Sequence, residues 1–240
     1  MPIVPETTVA AIATEHPAAI KVFQRHGIDF CCGGKRPLAE ACAERNVSPE
    51  GVIGEIESLL APESDVRDWR QAPLAELARH IVARYHDMLR DELPRLSFMA
   101  DKVNRVHGAR WPEMIPPLAD TFDELRRELE AHMDDEERTL FPAVVALEGR
   151  GSAPATADFT ASIEELEREH EHAGRLLERM QVLTGGFTPP EEACNTFRGL
   201  FHGLAQLTAD MHVHVHLENN ILFPRAIALR EAQKAVPAMG

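Results

Sequence analysis

One motif, present twice, constrains this chain more than any other feature. HMDDEERTLFP (132–142) and HVHLENNILFP (214–224) align without a gap as H-x3-E-x4-F-P. Residues four apart share a helix face, whereas residues two apart point to nearly opposite sides. A helix through each copy therefore sets His132 beside Glu136 and His214 beside Glu218. The histidines of HVHVH alternate as in a strand, but within a helix His212 and His216 fall on the face away from His214, together with Asn219 and Asn220. Solvent, or a contact behind the ligand shell, is expected there. His86 precedes His132 by 46 residues and His170 precedes His214 by 44. The repeat thus extends to two helical hairpins, each supplying two histidines and one glutamate.

The apolar spacing supports four helical segments, over roughly 74–97, 113–142, 158–183 and 190–230, with a break near Pro224 and a less regular piece over 97–112. Leu89, Leu93 and Leu96 share a row with Val82 and His86. Phe122, Leu125, Leu129 and Leu140 form a second row interrupted by His132 and Glu136. Ile163, Leu166, Ala173, Leu177 and Met180 enclose His170, and Leu200, Leu204, Leu207, Met211 and Leu222 enclose His214 and Glu218. Each helix turns a histidine inward. By the same spacing His80 groups with Arg84 and Asp87, and His172 with Glu165 and Glu169, so both are expected to face outward. The turn-rich stretches GRGSAPAT and TGGFTPP suit the short connections of an antiparallel four-helix bundle.

Burying four imidazoles and two carboxylates without compensation costs several kcal/mol for the charged groups alone. They must pair with one another or bind cations, and a purely hydrogen-bonded network is the plainer alternative. Six donors exceed what one tetrahedral zinc needs, whereas two metals bridged by two glutamates use all of them. Four nitrogens and four carboxylate oxygens leave open positions on two six-coordinate ions, for an oxo or hydroxo bridge and an external ligand. Nitrogen and oxygen donors without thiolate suit iron first, with manganese or zinc as substitutes.

A smaller unit precedes the bundle. HPAAIKVFQRHGI reads as a helix stopped at Gly27, and LAEACAERN and SPEGVIGEIESLL as two more, the last capped by Ser48 with Pro49 at its first position. The expected organisation is a small helical domain over 1–60, a polar linker over 61–73 and a helical bundle over 74–240. DFCCGG falls inside the first. Its adjacent cysteines, Cys31 and Cys32, do not chelate one metal readily, but between an aspartate and a Gly-Gly turn they are placed for exposure and thiol exchange. Two small residues packing a turn is the plainer reading. Cys42 and Cys194 fall within helical patterns and read as core residues, and Tyr85 as packing at a helix edge.

The four cysteines show no CxxC and no paired framework, which points to reduced thiols. A net charge of −14 argues against a nucleic-acid or anionic-membrane partner. No stretch approaches the roughly 20 apolar residues of a membrane span, and a cytoplasmic location is the default.

GIDFCCGG, YHDMLRDELP, HMDDEERTLFP, EREHEHAG and HVHLENNILFP together resemble the iron–sulfur cluster repair di-iron proteins, the repair-of-iron-centres family, over nearly the whole chain. The resemblance implies an all-α fold: a hemerythrin-like antiparallel four-helix bundle preceded by a small helical domain bearing the Cys-Cys pair. It implies two non-haem irons on His86, His132, Glu136, His170, His214 and Glu218, both glutamates bridging. It further implies a cytoplasmic stress response in which clusters damaged by nitric oxide or oxidants are restored, by iron delivery or nitric oxide removal. Damaged iron–sulfur proteins would be its partners. A carrier or sensor of O2 or nitric oxide, and a di-iron nitric oxide reductase or peroxidase, are the alternatives; oligomeric state, a dimer included, is left open.

Overall fold

The computed structural model describes residues 3–59, 68–149 and 159–235. Residues 61–67 of the expected linker and residues 150–156 of GRGSAPAT lie outside them. Among the described residues the secondary structure is helical, with one isolated bridge between Thr8 and Pro37 and no strand. The chain divides into two compact units. Of the described residues, one comprises 3–59, 68–78, 144–149 and 212–235, and the other 79–143 and 159–211.

In the first unit four short helices surround one core. They are α1 (Val9–Glu15), α2 (Ala19–His26), α3 (Leu38–Glu44) and α4 (Pro49–Leu59). The Thr8 hydroxyl caps α1 by accepting the Ala11 N–H at 3.3 Å, and Ser48 caps α4 through the Gly51 N–H at 3.2 Å. Gly27 ends α2 in the left-handed conformation, φ 63°. Helix α1 was not expected from the sequence, because its alanine-rich turn shows no clear apolar period. Phe23 and Phe30 stack with ring centres 6.2 Å apart, among Val9, Ile12, Val22, Leu38, Cys42, Val52 and Ile56. Fully burying side chains of this size contributes about 1.5–3 kcal/mol each.

The bundle helices are longer. Helix α5 (Leu74–Ile81) runs through a π-helical turn at Val82–His86 into α6 (Asp87–His107), and α7 (Ile115–Asp135) through a second at Glu136–Leu140 into α8 (Phe141–Glu148). Helix α9 (Phe159–Thr184) is continuous. Helix α10 (Asn195–Leu217) passes through a third π turn at Glu218–Leu222 into α11 (Phe223–Ala235). In the second unit α6 packs on α7 and α7 on α9. Helix α10 comes so close to α6 that a Cβ on Gly203 would stand 2.5 Å from Leu96, and one on Gly199 2.8 Å from Met99. Two glycines thus set the spacing of that helix pair. The expected inner rows are buried, apart from half-buried Val82.

Two expectations change. The piece over 97–107 is regular helix, continuing through Pro94, and the expected break near Pro224 is a π turn instead. In that turn the Phe223 N–H reaches back to the Glu218 carbonyl, as Phe141 does to Glu136. The ladder is already shifted where Pro142 and Pro224 lack a donor, so each proline is accommodated.

Candidate metal centre

All six expected side chains are buried, with His132 the most accessible at 6%. Within the second unit His86 and His132 converge on Glu136, with His170 against His132. Its Oε2 lies 3.3 Å from His86 Nε2 and 3.4 Å from His132 Nε2, and His170 Nε2 stands 2.9 Å from His132 Nε2. The π turns place these groups: His86 closes the first and Glu136 opens the second. Such single-turn π segments concentrate at functional sites because they displace a side chain without ending the helix. In the first unit, His214 Nε2 lies 3.0 Å from Glu218 Oε1, and Glu218 opens the third π turn. Within the second unit His132, Glu136 and His170 offer ligand atoms within 4.8 Å of one another, as do His86 and Glu136, and within the first His214 and Glu218 do the same.

Carboxylates outside this group orient the imidazoles. His86 Nδ1 lies 2.7 Å from Glu137 Oε1, which also accepts from Arg90 at 2.9 Å. His132 Nδ1 lies 2.7 Å from Glu169 Oε2. With Nδ1 protonated and held, each Nε2 lone pair faces Glu136. A metal-binding histidine needs this arrangement, which also makes the ring a better donor. Burial works to raise Glu137, but the bonds to His86 and Arg90 keep it below the usual carboxylate range, and the bond to His132 does the same for Glu169. Four imidazoles and two carboxylates, without thiolate, in a water-poor setting fit iron. A cavity of about 400 Å³, lined by Glu128, His132, Glu165, Glu169, His170 and His172, reaches this group from outside.

His216 departs from expectation. It is 1% exposed, its Nδ1 lies 3.2 Å from the Phe30 carbonyl, and its ring meets Phe30 at 5.6 Å. Burial lowers its pKa to about 4, so it is neutral at physiological pH. Half-buried His212 also meets the Phe30 ring edge-on. The first and third histidines of the alternating run thus anchor the DFCCGG segment, whose Cys31 carbonyl accepts from Asn220 at 3.3 Å. His80 and His172 are half-buried, and His172 meets Glu124 and Glu128.

The cysteine segment has its own logic. The Asp29 carboxylate accepts the N–H groups of Cys31 (2.9 Å) and Gly33 (2.8 Å). A Cβ on Gly34 would stand 2.5 Å from the Phe30 carbonyl, so the turn closes only around glycine. Cys31 is buried, contrary to the expected exposure. Its thiol donates to Asp29 at 3.2 Å and lies 3.9 Å from Cys32 Sγ. The bond with Cys32, then burial, then the Asp29 charge push it well above the ordinary cysteine range. Cys32 is half-buried, and Cys42 is a core residue as expected. Cys194 is not. It is exposed just before α10, where Arg198 donates to the carbonyls of Glu191 and Ala193 and holds the chain in a turn. Tyr85 is buried, packing edge-on to His80.

Residues 77–226 match the hemerythrin HHE cation binding domain, and residues 5–60 match ScdA_N, described as a domain of unknown function. An iron-sulfur cluster repair protein YtfE from Pectobacterium carotovorum is 41% identical over 222 residues, covering 92% of this chain and 97% of that one. The protein of the same name from Yersinia pseudotuberculosis is 40% identical over 220 residues, covering 92% and 96%. That from Citrobacter koseri is 41% identical over 217 residues, covering 90% and 94%. This chain belongs to the iron–sulfur cluster repair family. The family assignment accounts for a cation-binding bundle and a Cys-Cys unit in one chain. Among the described residues no helix is long and apolar enough to cross a membrane.

Proposed function

We propose that this chain repairs iron–sulfur clusters damaged by nitrosative or oxidative stress, using a two-iron centre held by His86, His132, Glu136, His170, His214 and Glu218. The observation that carries the reading is the buried donor set, His86, His132, Glu136 and His170 in one unit and His214 with Glu218 in the other, inside the stretch that matches the hemerythrin cation binding domain. Glu136, within 3.4 Å of the Nε2 atoms of both His86 and His132, is placed to bridge, and Glu218 holds the matching position in the repeated motif. Bound there, the irons would supply labile iron and open positions for nitric oxide or O2. Glu137 and Glu169 hold the Nδ1 protons of His86 and His132, and the apolar rows around the site exclude water. Damaged iron–sulfur proteins are the partners, and the cytoplasm the location.

Cys31 and Cys32 act as a thiol relay in this reading. Its support is the bond from Asn220 to the Cys31 carbonyl, which ties their segment to the stretch that carries His214 and Glu218. The test is transfer of iron from the loaded protein to a cluster protein stripped by nitric oxide, run beside turnover of nitric oxide alone. Restoration of the cluster in step with iron loss supports repair by delivery. Turnover of nitric oxide with no restoration contradicts it and supports a reductase.

A further inference from the structure

A second group of metal-ligating side chains lies outside the six. Glu124 and Glu128 stand one turn apart on α7, and His172 reaches them from α9, its Nε2 3.5 Å from Glu124 Oε1 and 3.2 Å from Glu128 Oε1. Donors sharing one ion at about 2.1 Å stand roughly 3.0 Å apart at octahedral and 3.4 Å at tetrahedral angles. The two spacings from His172, 3.2 and 3.5 Å, are close to those values. The three offer one atom each within 4.8 Å of one another and are half-buried, so a cation reaches them from solvent. Glu128 and His172 also line the cavity whose other walls include His132, Glu169 and His170.

We propose that Glu124, Glu128 and His172 form a dissociable divalent-cation site at the mouth of this cavity, through which iron(II) is taken up toward the buried centre. Two carboxylates and one imidazole favour a divalent first-row ion and leave positions for water, which suits exchange rather than retention. The ion takes the Nε2 lone pair, so the ring proton moves to Nδ1. Arg175, whose Nη2 lies 3.1 Å from Nδ1, must then turn away; it is exposed and free to do so. The cation-binding part stands by itself, and the uptake part rests on the proposed iron centre.

Equilibrium dialysis of the iron-loaded protein against Co2+, with metal analysis, tests the binding. The expected result is one further cobalt per chain with iron unchanged, weakened about tenfold or more in His172→Asn and in Glu124→Gln/Glu128→Gln. Anaerobic uptake of iron(II) by the metal-free protein is expected to be several-fold slower in those variants and to reach the same final content. Cobalt binding equal in wild type and variants would reduce the group to an interhelical ion pair and overturn the proposal, as would uptake at the unchanged rate. A chain that takes up no iron contradicts the proposed centre instead, while the cobalt difference still reports on this site.

Discussion

Glu169 Oε2 lies 2.7 Å from His132 Nδ1, on the side of the ring opposite Glu136. The glutamate is placed to set which nitrogen faces the centre rather than to bind metal itself. Replacing such a partner costs about 10–100-fold in metal affinity. Glu169→Ala is therefore expected to release iron to a competing chelator at correspondingly lower chelator concentration, with the helical circular dichroism unchanged. Glu165→Ala, which lacks this bond, is the control and should match wild type.

The alternating histidines separate by role. His214→Ala is expected to lose metal, whereas His212→Ala and His216→Ala keep it. His216→Ala carries a second effect, since it leaves the Phe30 carbonyl without its imidazole partner and opens a space against the Phe30 ring. A loss of about 2–4 kcal/mol in denaturant unfolding is expected for it. Equal iron content in all three variants would overturn the face assignment.

The thiols are expected to react with iodoacetamide in an order set by exposure and charge. Exposed Cys194 reacts first, half-buried Cys32 next, and Cys31 and Cys42 last. Cys31 keeps its proton in the folded chain, whereas an unfolded cysteine gives it up above about pH 8.5. The stability tied to its burial is fully present below that pH and is lost as pH rises beyond it. Peptide mapping after timed labelling, repeated at pH 9.5, checks both statements; Cys31 labelling fastest at neutral pH would contradict them.

Replacing both Cys31 and Cys32 with serine is expected to leave the iron content intact, because neither contributes a donor to the six-residue group. Cluster restoration should fall. Full restoration at matched iron loading would reduce DFCCGG to a structural turn.

Much of the fold and site is legible in the sequence, for a physical reason. The 3.6-residue period converts sequence spacing into faces, so two copies of H-x3-E and two isolated histidines were enough to nominate His86, His132, Glu136, His170, His214 and Glu218. What spacing does not carry is packing against distant residues. His216 and Cys31 are buried by contacts across nearly 190 positions, and no local pattern announces them. Residues 97–107 hid their helix because Phe98 and Val106 are exposed while Ala100 and Val103 are buried, which blurs the apolar stripe. Pro224 reads as a breaker because a π turn has no signature of its own. The pairing of His172 with Glu124 and Glu128 was missed because its helix neighbours Glu165 and Glu169 offered a nearer explanation.

Metal analysis of the purified chain beside Glu136→Ala and Glu218→Ala tests most directly whether the six buried side chains hold two irons. Two irons per wild-type chain are predicted, with the loss of either glutamate removing both ions together, since each is proposed to bridge them. A single metal per wild-type chain would contradict the account, as would variants that each retain one iron.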